Sequence, residues 1–200
     1  MVRFLYFDLG NVLVHFSVDR MLRQVAAVAK IEPERVGEAV FRDGLQTEFE
    51  TGRITPRQFY ERFCEQTGVR PEYDALERAA SDIFEVNVTM LPVLARLARA
   101  GWPMGILSNT CQTHWEHCHK RFTILPSLFG TYALSYQIGA MKPEATIFLA
   151  AAELAGCSPD EIVYVDDLAQ HVEGARALGL DAVQYTGTPR LAAELRRRGL

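Results

Sequence analysis

The sequence predicts an α/β fold in which a doubly wound parallel sheet carries an inserted helical domain. Two observations lead to this prediction. Short apolar runs alternate with helical stretches, and one long helical segment interrupts the alternation near the start of the chain. Short apolar strands that alternate with helices are typical of a parallel sheet covered on both faces. In such a sheet, ligands bind beyond the carboxyl ends of the strands, so the residues that follow each strand are the first candidates for a functional site.

Five apolar runs are predicted as strands. The first lies almost at the start of the chain and ends abruptly at Asp8, and the others are spread over the second half. A carboxylate at the end of a buried strand is costly unless it has a task. The predicted strands are residues 2–7, 103–107, 132–136, 162–165 and 182–185.

Three helices are predicted between these strands, and each ends just before a glycine. Glycine is favoured there because the closing residue of a helix often adopts a left-handed conformation. Ser158 and Pro159 predict the cap and the first residue of a further helical turn. The three helices with their glycines are 89–100 with Gly101, 144–155 with Gly156, and 170–178 with Gly179.

Residues 16–87 have helical periodicity and contain no predicted strand. A segment of this length between the first strand and the next strand–helix unit predicts an inserted helical domain. It leaves and rejoins the sheet next to the carboxyl end of the first strand, so we expect it to lie over the site. The predicted domains are therefore residues 1–15 with 88–200, which carry the sheet, and residues 16–87, which are helical.

The composition narrows the class of protein. Of the 200 residues, 48% are hydrophobic and 23% are charged, which is ordinary for a soluble globular protein. The formal net charge of −4 argues against nucleic acid and gives no reason to expect binding to an anionic membrane. There is no predicted signal peptide or membrane span. The four scattered cysteines predict free thiols in the cytoplasm.

Polar side chains follow four of the predicted elements at the edge where ligands bind. These are Asp8, Ser108–Thr110, Lys142 and the pair Asp166–Asp167. This set of groups suits phosphoryl transfer. Asp8 can attack phosphorus, and Ser108 with nearby backbone N–H groups can hold phosphoryl oxygens. Lys142 can neutralise developing charge, and the clustered carboxylates would repel one another unless a hard cation such as Mg²⁺ lay among them.

In this order, the four stretches resemble the motifs of the haloacid dehalogenase superfamily, over nearly the whole chain. Asp8–Leu13 resembles the family's first motif, D-x-D-x-[TV]-[LV], and Ser108–Thr110, Lys142 and Asp166–Asp167 resemble the other three. The resemblance implies a Rossmann-like core and identifies residues 16–87 with the family's cap domain. The stretches DLGNVLV, LSNT, MKPE and DDxxxxxEGA also resemble bacterial sugar-phosphate phosphatases of the glucose-1-phosphate type, and more distantly the amino-terminal domain of some epoxide hydrolases.

The resemblance also implies roles for individual residues. Asp8 would be the nucleophile and a Mg²⁺ ligand, and Lys142 would bridge it to the phosphate that Ser108 and Asn109 hold. The Mg²⁺ ion would be bound further by Asp167 and by the backbone carbonyl of Gly10, with Asp166 either binding the ion or supporting a ligand. The implied function is a Mg²⁺-dependent phosphatase of a small phosphorylated metabolite, through an aspartyl-phosphate, in a monomer or homodimer.

Gly10 departs from the family pattern. Phosphatases of the family usually carry Asp there, which protonates the leaving oxygen and later activates water, and Gly10 can do neither. Three alternatives stay open: a phosphatase that takes its acid/base from elsewhere, a dehalogenase-type or other hydrolase, and a non-catalytic binding protein. The Asp166–Asp167 pair argues against a dehalogenase, because that chemistry needs no divalent cation. The intact Asp8, Ser108 and Lys142 argue against a protein without activity.

The missing acid/base also predicts a substrate preference. An anomeric hydroxyl is more acidic than a simple alcohol and needs less protonation as it leaves, so we expect sugar 1-phosphates to be preferred over sugar 6-phosphates. Glu48, Glu50 or an ordered water is the expected substitute. Arg42 and Arg53, near the same turn of the cap, could reach a substrate's hydroxyls.

Two other stretches need an interpretation. In the fourth motif the family often has Asp or Asn a few residues beyond the pair, where this chain has Gln170 and His171. Either side chain can still hydrogen-bond.

The stretch CQTHWEHCH, residues 111–119, could place Cys and His on one helix face and bind zinc. It has no second ligand pair at the usual spacing, so we predict a structural role.

Overall fold

Seven strands form two sheets in the computed structural model, which describes residues 1–200. The strands are β1 (Phe4–Phe7), β2 (Val14–Phe16), β3 (Phe84–Val86), β4 (Met104–Ser108), β5 (Thr131–Leu134), β6 (Ile162–Asp166) and β7 (Asp181–Gln184). Five of them form a parallel sheet in the spatial order β5-β4-β1-β6-β7, and β2 pairs with β3 in a separate antiparallel ribbon. The predicted doubly wound parallel sheet is confirmed, and each predicted strand lies within one or two residues of the observed bounds.

The central position of β1 explains why distant motifs meet. Leu5 of β1 pairs with Met104 of β4 on one side and with Val163 of β6 on the other. Because the three strands are parallel, their carboxyl ends lie at the same edge of the sheet. The chain adds β4 and β5 on one side of β1 and β6 and β7 on the other. The carboxyl edge beside the strand where this order changes is the usual place for a ligand in an open α/β sheet.

Twelve α-helices complete the fold. They are α1 (Val18–Ala29), α2 (Pro33–Phe41), α3 (Leu45–Glu50), α4 (Pro56–Thr67), α5 (Tyr73–Ser81), α6 (Leu91–Arg99), α7 (Gln112–Arg121), α8 (Ile124–Leu128), α9 (Ser135–Ile138), α10 (Ala145–Ala155), α11 (Ala169–Ala177) and α12 (Thr188–Arg197). The predicted helix ends are close to the observed ones, and Gly156 closes α10 in the left-handed conformation, with φ 62°. None of the helices is long and apolar enough to cross a membrane.

Apolar side chains cover both faces of the sheet. Leu5 and Phe7 of β1 belong to a cluster of 36 buried residues, and the alternate residues Phe4 and Tyr6 belong to a second cluster of 15. Successive side chains of a strand point to opposite faces, so this alternation places one helical layer on each side of the sheet. The larger cluster continues into helices α1, α2, α4 and α5, which pack against one another above the sheet.

The antiparallel ribbon forms the base of the long helical segment. Residues of β2 and β3 pair directly, Phe16 with Phe84, so the segment leaves and returns at neighbouring positions. The prediction that residues 16–87 contain no strand is wrong, because β3 lies within them. It has only three residues and its partner is almost 70 residues away, so no local pattern reveals it. The division of the chain into a core and a cap at residues 16 and 87 stays a prediction.

Local signals explain where the segment's helices begin. Ser17 accepts a hydrogen bond from the backbone N–H of Arg20 at the start of α1. Thr55 and Gln58 form a reciprocal capping box at the start of α4, and Pro56 is its first residue. The turn that precedes α4 contains Gly52, which contacts the core and becomes important for the site below.

Candidate active site

Asp8, Lys142 and Asp166 form a buried row of charges at the carboxyl edge of the sheet. The ammonium nitrogen Nζ of Lys142 lies 2.8 Å from Oδ1 of Asp8 and 2.7 Å from Oδ2 of Asp166. It also donates to the backbone carbonyl of Leu107, at 3.1 Å. The side chain of Lys142 is only 1% exposed and that of Asp166 is 0% exposed, whereas that of Asp8 is 10% exposed. Asp8 is thus the member of the row that keeps an opening to solvent.

The three charges shift one another's protonation. Burial raises the pKa of Asp8 to about 6, although the Lys142 ammonium opposes the rise. Burial alone would lower the pKa of Lys142, but the carboxylates of Asp8 and Asp166 outweigh it and the pKa is raised. Burial alone would raise the pKa of Asp166, but the hydrogen bond from His171 and the Lys142 ammonium hold it well below its usual range. Lys142 and Asp166 therefore stay charged, in keeping with the rule that buried charges are paired.

Asp166 accepts hydrogen bonds on both of its oxygens. Tyr164, two residues earlier on the same face of β6, donates its hydroxyl to Oδ2. The backbone N–H of Leu168 donates to Oδ1 at 2.8 Å, and His171 Nδ1 lies 3.1 Å from the same atom. With Lys142 included, four groups hydrogen-bond to this carboxylate and fix its position. Of the two residues in the stretch where the family often has Asp or Asn, His171 contacts Asp166 and Gln170 is exposed.

Asn109 fixes the backbone of Lys142. Its Nδ2 donates to the carbonyl of Lys142 at 3.0 Å, and its Oδ1 accepts from the N–H of Lys142 at 2.8 Å. These two bonds hold the amide group against the backbone of Lys142 and use one of its two N–H donors. The backbone N–H of Asn109 has no partner in the structure. Contact of Asn109 with a phosphoryl group stays a prediction.

The second predicted phosphate-binding residue, Ser108, ends β4 beside Asp8. It is 2% exposed and its hydroxyl makes only a long contact, 3.4 Å, with the carbonyl of Asn109. The hydroxyl is therefore available to a ligand in the cavity that it lines. The next residue, Thr110, is held by Ser135 of α9, which accepts from its N–H at 2.9 Å. This bond fixes the turn that carries Ser108 and Asn109.

Three carboxylates could hold a metal ion. Oxygens of Asp8, Asp166 and Asp167 lie within 4.8 Å of one another, and this is the only such group of acidic, His or Cys side chains in the chain. Asp167 is more exposed than Asp166, and its Oδ2 accepts one hydrogen bond, from Asn11 Nδ2 at 3.2 Å. The carbonyl of Gly10 accepts no hydrogen bond. Carboxylate and carbonyl oxygens are the ligands that a hard cation such as Mg²⁺ prefers, so the residues fit this ion.

An aromatic ring occupies the space next to Gly10. A Cβ atom added to Gly10 would lie 3.0 Å from Cε1 of Phe16, tighter than ordinary contact. The side chain of an aspartate at position 10 would therefore collide with the ring of Phe16 unless the ring moved. Position 10 thus offers no acid/base side chain, and the ring of Phe16 lies where such a side chain would begin.

A cavity of about 140 Å³ lies between the edge of the sheet and the helical segment. Gly10, Ser108 and Asn109 line it from the sheet, and Gln46 and Glu50 of α3 line it from above. Its other lining residues are mostly apolar, with one histidine: Leu9, Phe16, Val18, Met21, Phe41, Ile83, Phe84, Thr110 and His114. The cavity thus offers a few polar groups in a largely apolar wall, as small-molecule sites do.

The other charged residues predicted for the cap lie elsewhere. Glu48 accepts two hydrogen bonds from Arg62, at 2.6 and 3.1 Å. Arg42 is exposed and paired with Glu38, and Arg53 is exposed. Of the four candidates near that turn, only Glu50 reaches the cavity.

The Cys- and His-rich stretch forms α7 and its preceding turn, and its side chains do not gather into a metal-binding group. Cys111 and Cys118 are buried free thiols, and His114 Nε2 lies 3.2 Å from the carbonyl of Ala80. The stretch packs α7 against the helical segment, since Phe84 of β3 contacts the ring of His114 edge-on.

Several residues of the site were not predicted from the sequence: Tyr164, Asn11, Gln46, His114 and Phe16. A signal existed only for Tyr164, which precedes Asp166 by two residues in a strand and so shares its face. The others come from separate elements, and only the folded chain brings them to the cavity.

Comparisons with known proteins agree on one family. A family model described as haloacid dehalogenase-like hydrolase matches residues 2–179. The D-ribitol-5-phosphate phosphatase of Bacteroides thetaiotaomicron is 24% identical over 191 residues, which cover 92% of each chain. The glyceraldehyde 3-phosphate phosphatase of Methanopyrus kandleri is 27% identical over 78% of this chain and 70% of its own.

A solved structure shows the same architecture. A HAD family enzyme from Bacteroides thetaiotaomicron, crystallised in complex with magnesium and inorganic phosphate, superposes with a TM-score of 0.82 at 26% identity. The match covers 94% of this chain and 96% of that enzyme. The two chains therefore share their fold over almost their whole length, including the segment between β2 and β3.

Proposed function

The chain belongs to the haloacid dehalogenase-like hydrolases, and from this membership we propose that it is a Mg²⁺-dependent phosphatase of a small phosphorylated metabolite. The observation that carries the proposal is the row of Asp8, Lys142 and Asp166, with Lys142 Nζ 2.8 Å from the carboxylate of Asp8, which keeps an opening to solvent. A partly open carboxylate beside a fixed cation and next to a hydroxyl and free N–H groups suits attack on a phosphate ester. The phosphatases among its relatives support the same chemistry.

In the proposed mechanism, Oδ2 or Oδ1 of Asp8 attacks phosphorus while the bond to the leaving oxygen breaks. Ser108 and the N–H of Asn109 hold the equatorial oxygens, and Lys142 neutralises charge that passes to them. Water then attacks the aspartyl-phosphate, releases phosphate and restores the carboxylate of Asp8. Asp166 takes no part in bond changes. It keeps Lys142 charged and in place, because all of its hydrogen-bonding positions are filled by Lys142, Tyr164, Leu168 and His171.

Mg²⁺, when bound, would draw the negative charges of nucleophile and phosphate together and so lower their repulsion. We assign its protein ligands to Asp8, Asp167 and the Gly10 carbonyl, with Asp166 supporting the site from behind Lys142. The carboxylate of Asp167 accepts only one hydrogen bond, from Asn11, so its oxygens have room for an ion.

The cavity favours a small polyol or sugar as the organic part of the substrate. Gln46 and Glu50 can bond to hydroxyl groups, and the apolar wall of Phe16, Val18 and Phe41 can cover a carbon chain. The names of two relatives, which are phosphatases of ribitol 5-phosphate and glyceraldehyde 3-phosphate, support the same size class.

Removal of the metal is expected to abolish phosphate release. A panel of sugar and polyol phosphates should be hydrolysed with Mg²⁺, not with a chelator, and again after Mg²⁺ is restored. Asp167→Ala should raise the Mg²⁺ concentration needed for half-maximal activity by about tenfold or more. Asp181→Ala is a control outside the site. Release of halide from a haloacid without metal, or no hydrolysis of any ester, would contradict the proposal.

Gly10 leads to a proposal about the substrate class: esters whose leaving oxygen needs little protonation, such as sugar 1-phosphates, are preferred over sugar 6-phosphates. We expect a higher kcat/KM for a hexose 1-phosphate than for the 6-phosphate of the same hexose. Rapid-quench measurements with the 1-phosphate should show a burst of leaving group, because hydrolysis of the aspartyl-phosphate is then the slower step. Equal kcat/KM values without a burst would contradict this preference and would show that another group protonates the leaving oxygen as well as an aspartate at position 10 would.

A further inference from the structure

We propose that Glu50 of the helical segment is the acid/base group that position 10 lacks. The proposal rests on the proposed phosphatase function and adds a residue to it. Glu50 ends the short helix α3 and lines the same cavity as Gly10, Ser108 and Asn109. It is the only carboxylate among the residues that line the cavity. The acid/base carboxyl group, which usually belongs to a residue at the edge of the sheet, would here belong to α3 on the opposite wall of the cavity.

The backbone after Glu50 is anchored to the core. A Cβ atom on Gly52 would lie 2.0 Å from the carbonyl oxygen of Tyr136 in α9, so only glycine allows this close approach. Gly52 also has φ +67°, a left-handed conformation that other residues adopt at a cost. Since α9 also holds the phosphate-binding turn through Ser135 and Thr110, the position of Glu50 is tied to that of Ser108 and Asn109.

Glu48 has none of these properties, although the sequence does not distinguish the two. Residues two apart on a helix lie on different sides of it. Glu48 faces α4 and forms a bidentate ion pair with Arg62, which lowers its pKa. A carboxylate held this way is a weak base and is already bonded. Glu50 has no cationic partner, and Gln46 donates to it at 2.7 Å.

The surroundings of Glu50 suit a proton donor. Burial raises its pKa, and the hydrogen bond from Gln46 and the charge of His114 oppose the rise. Burial lowers the pKa of His114, so at neutral pH this ring on α7 brings little positive charge to the cavity. Cys111, which precedes α7, is a buried thiol with its pKa raised to about 12 and stays neutral. Glu50 therefore faces no fixed cation that would keep it ionised.

The step balances as general acid and then general base catalysis. As Asp8 bonds to phosphorus, the electron pair of the breaking P–O bond passes to the leaving oxygen, which takes the proton of the Glu50 carboxyl. The alcohol departs and Glu50 is left as carboxylate. It then accepts a proton from water as the water oxygen bonds to phosphorus, the P–O bond to Asp8 breaks, and both side chains return to their first state.

The test compares Glu50→Gln with the wild type on two esters in a rapid-quench experiment with Mg²⁺. For a hexose 6-phosphate, whose leaving oxygen needs a proton, the rate of the first turnover should fall by about 10²–10⁴-fold. For p-nitrophenyl phosphate, whose leaving group does not, the first-turnover rate should be nearly unchanged. The steady-state rate of both esters should fall together, because the second step has lost its base. The burst with the aryl ester should therefore be more distinct in Glu50→Gln than in the wild type, because the steady-state rate that follows it is lower.

Glu48→Gln is the matched control, since it makes the same change two residues earlier in α3 and should give wild-type rates with both esters. Glu50→Asp keeps the carboxyl group and should recover part of the first-turnover rate. If Glu50→Gln folds poorly, this variant provides the test in its place. Equal losses of the first-turnover rate with both esters, or no loss with either, would overturn the role of Glu50 while leaving the phosphatase function standing. A wild type that hydrolyses neither ester would overturn both.

Discussion

Asp8→Asn is expected to lower phosphate release by roughly 10⁴–10⁶-fold while the fold stays intact. The amide has the shape of the carboxylate but cannot attack phosphorus. Its oxygen can still accept the N–H of Leu9, now 2.7 Å from Oδ1 of Asp8, and Lys142 keeps its bond to Asp166. The measurement is release of inorganic phosphate at saturating Mg²⁺ and substrate, together with acid-quench trapping of the phosphorylated protein, which the variant should not form.

Asp43→Asn is the control for this change, because Asp43 is an exposed residue outside the cavity. It should show wild-type turnover and wild-type trapping. Thermal unfolding of all three proteins should give similar midpoints, which separates loss of the nucleophile from loss of the fold. Phosphate release by Asp8→Asn at the wild-type rate would contradict a covalent mechanism through Asp8.

The sequence predicts the sheet and the residues at its edge because both depend on local patterns. A short apolar run followed by a polar residue identifies the end of a buried strand, and parallel strands bring such ends together. In this way the amino-acid pattern alone assigns Asp8, Ser108 and Asp166 to one edge. The meeting of Lys142 with the two carboxylates follows from the family resemblance, and the distances of 2.8 and 2.7 Å agree with it.

Contacts across the cavity could not be predicted in this way. The strand β3 is too short to leave a periodic signal, and its pairing with β2 positions Phe16 beside Gly10. The choice between Glu48 and Glu50 depends on which side of α3 faces the core, and the anchor at Gly52 and Tyr136 decides this. A glycine in a turn is common, so its close approach to a distant carbonyl is visible only in the folded chain.

Asn109 and Asp166 show a related limit. Their residue types suggested contacts with phosphate and metal, but the folded chain commits the Asn109 amide to the backbone of Lys142 and commits Asp166 to four donors. Both side chains position the lysine. Sequence patterns can indicate that a polar residue belongs to a site. Whether its side chain binds the ligand or holds another residue in place depends on how many hydrogen-bond partners the fold supplies to it.

Lys142→Met is expected to cost stability as well as activity. The change leaves Asp8 and Asp166 buried next to each other without their cation, and breaking a buried ion pair by removing one partner costs about 3–5 kcal/mol in the free energy of unfolding. Chemical denaturation without Mg²⁺ is the measurement. Lys120→Met is the control, because Lys120 is exposed on α7 and has no ion pair. An Lys142→Met protein as stable as the control at neutral pH would contradict the charge balance described here.

The pH dependence of this loss has a definite sign. Burial already raises the pKa of Asp8 above its unfolded value while Lys142 opposes the rise, and Lys142 helps to hold the pKa of Asp166 below its usual range, so removal of Lys142 moves both pKa values upward. The folded variant then binds more protons than the unfolded chain, so its stability falls as pH rises through the range between the unfolded and the raised pKa values. The difference in unfolding free energy between wild type and variant should therefore be largest near neutral pH and shrink as the pH falls through the raised pKa values of the variant, where its buried carboxyl groups become protonated and need no cation. Added Mg²⁺ should restore part of the stability at neutral pH, since it can replace the lost positive charge beside Asp8. If the loss were instead constant between neutral and acidic pH, it would come from packing of the lysine stem alone, and the two carboxylates would not depend on Lys142 for their charge.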